Sequence, residues 1–448
     1  MSKRRIPGWL VLLLVPVGLI LLIPGLWVAV SLTETPLYPT PEAVASVAKS
    51  APRPQWADPV QQARQIARAS VAEQNLPGLS VAVGIDGGIV WAEGFGFADL
   101  KTSTPVTPDH QFNIGTASTA LTSAATGLLL ENGRFKLDSE IQTYVPTFPK
   151  KEWPVTLRQV MGNTAGILPD GNDLGSLSSL HCERPVEVLR YYAEDSLMYE
   201  PGTGYRYSNN GWNMVSAAIE AAADQPFLKF MQQRVFEPLG MHDTIPDPTT
   251  KEVDEDFPLA NMVRELIHDP EATRGSASDS NRKPGSTKQP AENRVTTYFP
   301  RFNADPNRGR HVMRPLDYSC YAGASVFQST PSDLVRFAMG INSGKLLKPA
   351  TVELLQTPQV LISGEQTAYG LGWDLKTVTL AGKPTRMIGH DGYAPLIWPH
   401  SDAGMVASLM TFPEYGIVVA VTSNIYYSDT SSIGMKIAQA FAQNRPVR

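Results

Sequence analysis

The chemistry available to this chain is hydroxyl chemistry. Residues 112–133 read Phe-Asn-Ile-Gly-Thr-Ala-Ser-Thr-Ala-Leu-Thr-Ser-Ala-Ala-Thr-Gly-Leu-Leu-Leu-Glu-Asn-Gly, which places hydroxyls at Thr116 and Thr119. On a helix, positions i and i+3 are neighbours, so a group at 119 can reach one at 116. A hydroxyl is a weak nucleophile until an adjacent base takes its proton. Thr119 supplies no base and no positive charge, and residues 112–123 contain neither Lys nor Arg. Threonine also carries a methyl group that stiffens χ1 and crowds an attack trajectory. An internal Thr116 cannot borrow the chain's own terminal amine, the usual activator of threonine nucleophiles. His390 beside Asp391 is the other proton-transfer candidate. Neighbours in a strand face opposite sides, which argues against a direct side-chain dyad.

Other chemistries find little support. The seven histidines are scattered without metal-ligand spacing, so no metal site or cofactor is expected. A net charge of −5 and a pI near 5.9 give no electrostatic case for nucleic acid. Cys182 and Cys320 stand far apart without a metal or redox pattern; two free buried thiols are expected, with a disulfide as the alternative in an exported domain. Ser46-Val-Ala-Lys49 and Ser280-Asn-Arg-Lys283 both spell Ser-x-x-Lys, but in contexts that make coincidence the better explanation.

The elements that must position these residues follow from patterning. Lys3-Arg4-Arg5 precede an uncharged apolar run, Trp9 to Val30, of 22 residues. As a helix it would measure about 33 Å, enough to cross a bilayer core. Ala29-Val30-Ser31 makes a poor cleavage site. The expectation is an uncleaved single-pass anchor over residues 1–30 in a bacterial inner membrane. Its N-terminus would be cytoplasmic and the rest periplasmic. Residues 31–56 read as a Pro-rich extended tether, and residues 57–448 as one domain.

Asp58 can cap a helix to about Gln74. Leu79–Ile85 and Ile89–Phe97 pair across an Asp-Gly turn. Residues 264–294 form a polar insertion, read as a surface loop. A helix over Pro331–Asn342, apolar runs at Met405–Phe412 and Ile417–Thr422, and a last helix near Ser431–Gln443 complete the pattern. The fold class expected is α/β in the α+β sense, an antiparallel sheet flanked by helices with a helical lobe.

Several phrases then carry a resemblance. Phe112-Asn-Ile-Gly-Thr-Ala-Ser-Thr119 resembles the Phe-x-Ile-Gly-Ser-x-Ser-Lys lead into the nucleophile helix of the penicillin-binding protein and class C β-lactamase family. Tyr144-Val-Pro-x-Phe-Pro149, Asn163-Thr-Ala-Gly166, Tyr207-Ser-Asn209, Glu237-Pro-Leu-Gly-Met-His-Asp-Thr244 and Ser329-Thr-Pro-Ser-Asp-Leu334 are similar to further family phrases, in order. The branch it most resembles is that of the mitochondrial β-lactamase-like serine proteases. The resemblance implies a β-lactamase/transpeptidase-like fold and a cleft. In it Thr116 takes the nucleophile's place and Thr119 the lysine's. Tyr207 would share proton transfer, and Asn209 would bind a substrate amide. His390, Asp391 and Gly392 would line the opposite wall. Thr116 and Tyr393 would supply backbone oxyanion donors.

This sequence departs from the family at Thr116 and Thr119, at Asp391 where Thr or Ser is usual, at Asn163 where His is usual, and at Leu396 where Gly is common. An anion at 391 would repel a substrate carboxylate unless a cation neutralises it. Three functional readings stay open. One is an impaired hydrolase relative that binds a peptide-like or cell-wall ligand. The second is an active ester, peptide or amide hydrolase using Thr116 with Tyr207 or His390. The third is an envelope scaffold for a protein partner.

Overall fold

A computed structural model describes residues 25–26, 36–169, 177, 180–247, 293–300, 307, 309–313, 316–394 and 404–445. Most of the expected anchor and of the polar insertion lie outside these residues. Among the described residues no helix is long and apolar enough to cross a membrane.

The centre is an antiparallel sheet of seven main strands. They are β1 (Ser46–Ala48), β2 (Gly78–Ile85), β3 (Gly88–Asp99), β4 (Asp374–Leu380), β5 (Lys383–Ala394), β6 (Gly404–Phe412) and β7 (Ile417–Ser423), in the order β1-β3-β2-β7-β6-β5-β4. A short strand, Thr104–Pro105, adds to β3. The expected Asp-Gly hairpin forms between β2 and β3. Asp86 and Gly87 take φ of 53° and 84°, the twist that a two-residue turn needs.

Helices cover both faces. On one side pack α1 (Ala57–Glu73) and α5 (Thr430–Ala442), with Val81, Val83, Val419 and Val421 beneath them. On the other lie α2 (Ser118–Glu131), α3 (Asn209–Ala223) and α4 (Pro331–Asn342), over Ala82, Ala407, Leu409 and Ala420. Alternate residues of one strand thus enter different cores, and every residue of β2 and β7 is buried. The expected α+β arrangement, a flanked antiparallel sheet with a helical lobe, is what the chain forms.

Three details differ from the sequence reading. The described part of the tether, residues 36–56, is packed onto the domain. Tyr38 and Val44 are buried, the Tyr38 hydroxyl donates to the Pro77 carbonyl at 2.9 Å, and Ser46–Ala48 pairs with β3. Two apolar side chains and an open strand edge outweigh the extended bias of the prolines. Asp58 lies inside the first turn of α1, and the cap position is Trp56. Cys182 and Cys320 are not free thiols: they form a buried disulfide with Cα atoms 5.0 Å apart. The helical lobe brings residue 182 to the turn at Ser319–Tyr321, where the Ser319 hydroxyl accepts from the Cys182 N–H at 2.8 Å.

The first face is tied down by one buried ion pair. Arg64 of α1 meets Glu93 of β3 at 2.8 Å through both Nε and Nη2, and the Trp91 indole donates to the same carboxylate at 2.8 Å. Burial pushes the Glu93 carboxyl up. Hydrogen bonds from Arg64, Trp91 and Ser46 outweigh it and hold the group below the usual range.

Two stability predictions follow from these ties. Reducing the disulfide, or replacing both cysteines by serine, should cost about 2–4 kcal/mol because the cross-link constrains a long loop of the unfolded chain. Denaturant midpoints with and without a dithiol check this. Arg64→Ala should cost about 3 kcal/mol at pH 7, since a buried carboxylate is left without its cation. A depressed folded pKa contributes stability that is present above the unfolded Glu value of about 4.3 and lost as pH falls through the folded value. The cost of Arg64→Ala, measured by urea titration, should therefore shrink as pH drops below about 4.

Candidate active site

The site assembles where the turn before α2 meets the end of β5. Gly115 adopts φ of 51°, and its N–H donates to the Asn113 side-chain oxygen at 2.8 Å. This left-handed residue swings the chain into a 3-10 turn, Gly115–Ala117, that runs directly into α2. Strand β5 passes against the turn at backbone distance. A Cβ on Gly392 would lie 2.2 Å from the Ile114 carbonyl oxygen, so only glycine fits. The β5–β6 register shifts at Gly392/Tyr393, which re-aims the strand there.

Thr116 is buried and both ends of its hydroxyl are engaged. It donates to the Asp391 carbonyl at 3.1 Å and accepts from the Tyr393 N–H at 2.9 Å. The Tyr393 amide, expected to serve an oxyanion, is therefore occupied by the hydroxyl at the nucleophile's position. Thr119 is fully buried, and its hydroxyl bonds the Tyr207 hydroxyl at 3.1 Å. A neutral pair thus stands where the resemblance implied an amine and a phenol.

Tyr207 and Asn209 flank the cap of α3. The Ser208 hydroxyl caps the helix by accepting from the Gly211 N–H at 3.1 Å. The Ser208 N–H donates to the Asn163 side-chain oxygen at 3.1 Å, and the Arg206 N–H to the Asn163 carbonyl at 2.9 Å. Asn163 itself sits at φ of 57°, a conformation that asparagine tolerates better than most residues. The residue that departs from the family pattern is thus a bracket holding Tyr207 in place. Asn209 opens α3, half-buried.

His390 and Asp391 point to opposite faces, as strand geometry requires. The His390 Nδ1 bonds the Asp391 carbonyl at 2.7 Å, not its carboxylate. The imidazole packs against Tyr207 and Tyr369, with ring centroids 5.9 Å away in each case. The Asp391 carboxylate turns toward α5. It accepts from the Ser408 hydroxyl at 2.8 Å, which in turn bonds Thr430 of α5 at 2.8 Å. Lys376 of β4 approaches Asp391 at 3.4 Å from a half-exposed position. The cation that could neutralise this anion is therefore present, though as a single long contact. Tyr393 projects its ring toward solvent. Burial of its inner part and the carboxylates of Asp391, Asp374 and Asp429 push its phenol up to about 12.

The structure therefore brings Thr116, Thr119, Tyr207, His390, Gly392 and Tyr393 together, with Asp391 contributing its carbonyl. Sequence reasoning missed Tyr369, Lys376 and the bracketing role of Asn163. The run Ala368-Tyr-Gly-Leu-Gly-Trp373, an aromatic pair spaced by glycines just before a strand, was the available signal for Tyr369. Among the described residues no group of three or more His, Cys, Asp or Glu is arranged to hold a metal ion. A cavity of about 10 Å³ beside Phe148 and Tyr192 and an open hollow of about 510 Å³ beside Lys136 and Arg158 are lined by other residues.

Comparison with known proteins fits this architecture. Residues 63–444 match the Beta-lactamase family. The serine beta-lactamase-like protein LACTB, mitochondrial, of Bos taurus is 25% identical across 83% of this chain and 77% of its own length. Penicillin-binding protein 4* of Bacillus subtilis is 23% identical across 69% of this chain and 61% of its own. Among solved structures, the octameric penicillin-binding protein homologue from Pyrococcus abyssi superposes with a TM-score of 0.64 at 21% identity, covering 84% of this chain and 76% of that one. The D-amino acid amidase from Ochrobactrum anthropi SV3 gives 0.64 at 21% identity, covering 86% and 98%. At these identities the structural likeness shows the fold. The sequence match runs from within α1, through the turn that carries Thr116, into the segment just beyond α5, and by it this chain belongs to the β-lactamase family.

Proposed function

We propose that this chain is a β-lactamase-family protein whose acyl-transfer site is silent and whose cleft binds a peptide-like or cell-wall ligand without turning it over. The domain would be held at a bacterial inner membrane, on the periplasmic side, by the apolar segment Trp9–Val30. One observation carries the reading. The Thr116 hydroxyl donates to a carbonyl rather than to a base, and accepts from the Tyr393 N–H that an oxyanion would need. Loss of an oxyanion donor typically costs 10²–10³ in kcat, and loss of general-base help about 10²–10⁴. Together they remove most of what distinguishes such a site from water.

The compartment is supported by the buried Cys182–Cys320 disulfide, because such bonds persist in oxidising surroundings such as the periplasm. The ligand class is supported by the wall that remains: Tyr207, Asn209 and the outward Tyr393 around a sheet edge. Asp374 sets the charge of that edge, the Asp391 carboxylate being turned toward α5 with Lys376 beside it. A ligand presenting a carboxylate there meets net repulsion.

The wild-type chain should hydrolyse neither a chromogenic cephalosporin nor a p-nitrophenyl ester above the buffer rate, and Thr116→Ala should change nothing. The double variant Thr116→Ser/Thr119→Lys should gain about 10²-fold or more over wild type. Wild-type turnover abolished by Thr116→Ala would instead establish a threonine hydrolase. For the ligand, calorimetry should show saturable binding of an N-acyl dipeptide amide, with the corresponding free acid weaker by roughly tenfold. Asp374→Asn should narrow that gap. Equal affinity for acid and amide would remove the charge argument.

A further inference from the structure

The contacts of His390 assign its protons. Nδ1 lies 2.7 Å from the Asp391 carbonyl oxygen, a group that can only accept, so Nδ1 carries a proton. Nε2 lies 3.1 Å from the Tyr369 hydroxyl. In the neutral ring, Nε2 is then the acceptor and Tyr369 the donor. Tyr369 is suited to that task. It is 1% exposed, and burial holds its phenol well above the ordinary value, so its proton stays on. Its ring also packs edge-on against both Tyr207 and His390, at 6.0 and 5.9 Å. The Asp391 carbonyl meanwhile collects a second proton, from Thr116 at 3.1 Å. Every polar atom of the imidazole is committed.

We infer that Tyr369 is a positioning residue that caps the Nε2 lone pair of His390 in the Nδ1–H tautomer, withdrawing the imidazole from base work in the cleft. With the Tyr369 hydroxyl removed, that lone pair would be open to Tyr207, to water or to a ligand hydroxyl. The inference does not depend on Thr116 being silent. Ester hydrolysis by the wild type would overturn the silent-site reading and leave the tautomer untouched, whereas an Nε2–H tautomer would do the reverse.

The test uses the full chain in detergent micelles, labelled with nitrogen-15 at histidine, with the His390 signals assigned by their loss in His390→Gln. Above pH 8 the wild type should show a protonated Nδ1 and a bare Nε2 shifted as a hydrogen-bond acceptor. A protonated Nε2 would overturn the proposal. In Tyr369→Phe, Nε2 should lose that hydrogen-bond shift. Diethyl pyrocarbonate should then modify His390 about tenfold faster, the factor equivalent to one hydrogen bond of ordinary net strength. The other six histidines serve as controls. An unchanged His390 rate and an unchanged Nε2 shift would also overturn it. If all seven react faster because the variant has loosened, the wild-type tautomer decides.

Discussion

The candidate site depends on one backbone approach. Strand β5 reaches the turn before α2 only because Gly392 has no Cβ to strike the Ile114 carbonyl. That approach sets the Tyr393 N–H and the Asp391 carbonyl one on each side of residue 116. In a site with an activated nucleophile, an amide so placed would meet the oxyanion. Here the same two backbone groups find a hydroxyl of the right size and close on it. A buried hydroxyl without partners is costly, and one satisfied at both ends is not. The geometry that would favour catalysis thus favours a resting, self-satisfied threonine once its base is absent.

The satisfaction spreads outward from there. The Asp391 carbonyl accepts from Thr116 and from His390, His390 is closed by Tyr369, and Thr119 is closed by Tyr207. Polar groups in a low-dielectric pocket strengthen one another when all are paired, and such networks rigidify what they connect. Active sites usually retain unpaired or strained groups at a cost to stability. Thr116, Thr119 and His390 hold little of that reserve, whereas the buried Ser118 hydroxyl between the two threonines has no protein partner among the described residues. What departs from the ordinary there is the backbone, left-handed at Gly115 and Asn163. It belongs to the shape of the cleft and not to the chemistry of any one side chain.

Periodicity and turn chemistry made most of the scaffold legible. The Asp86-Gly87 hairpin, the Thr330-capped α4 and the strands on either side of Pro413 are local events, written in residues that touch their sequence neighbours. Ordered family phrases made the positions of Thr116, Thr119, Tyr207 and His390 legible as well. What stayed hidden depends on contacts between distant residues. The disulfide joins positions 138 apart, which the folded helical lobe brings together. Tyr369 reaches His390 because β4 and β5 pair, and Lys376 reaches Asp391 for the same reason. The tether was misread because Tyr38 and Val44 are too few to make a pattern, yet each is enough to be buried.

On the silent-site proposal, position 119 also bears on how reversible that silence would be. Thr119 is fully buried, beside a phenol rather than in solvent. An ammonium placed there would be desolvated, and burial lowers the pKa of an amine toward the range in which it can accept a proton at neutral pH. The environment that a general base needs therefore survives around a side chain that cannot act as one. At position 116 the requirement is different, because the hydroxyl must leave the Tyr393 amide before that amide can serve an oxyanion. Serine, without the methyl that stiffens χ1, can rotate between the two arrangements more easily than threonine. On that proposal two changes, each relieving a different constraint, would separate this cleft from a working one. Neither alone addresses both the missing base and the occupied donor.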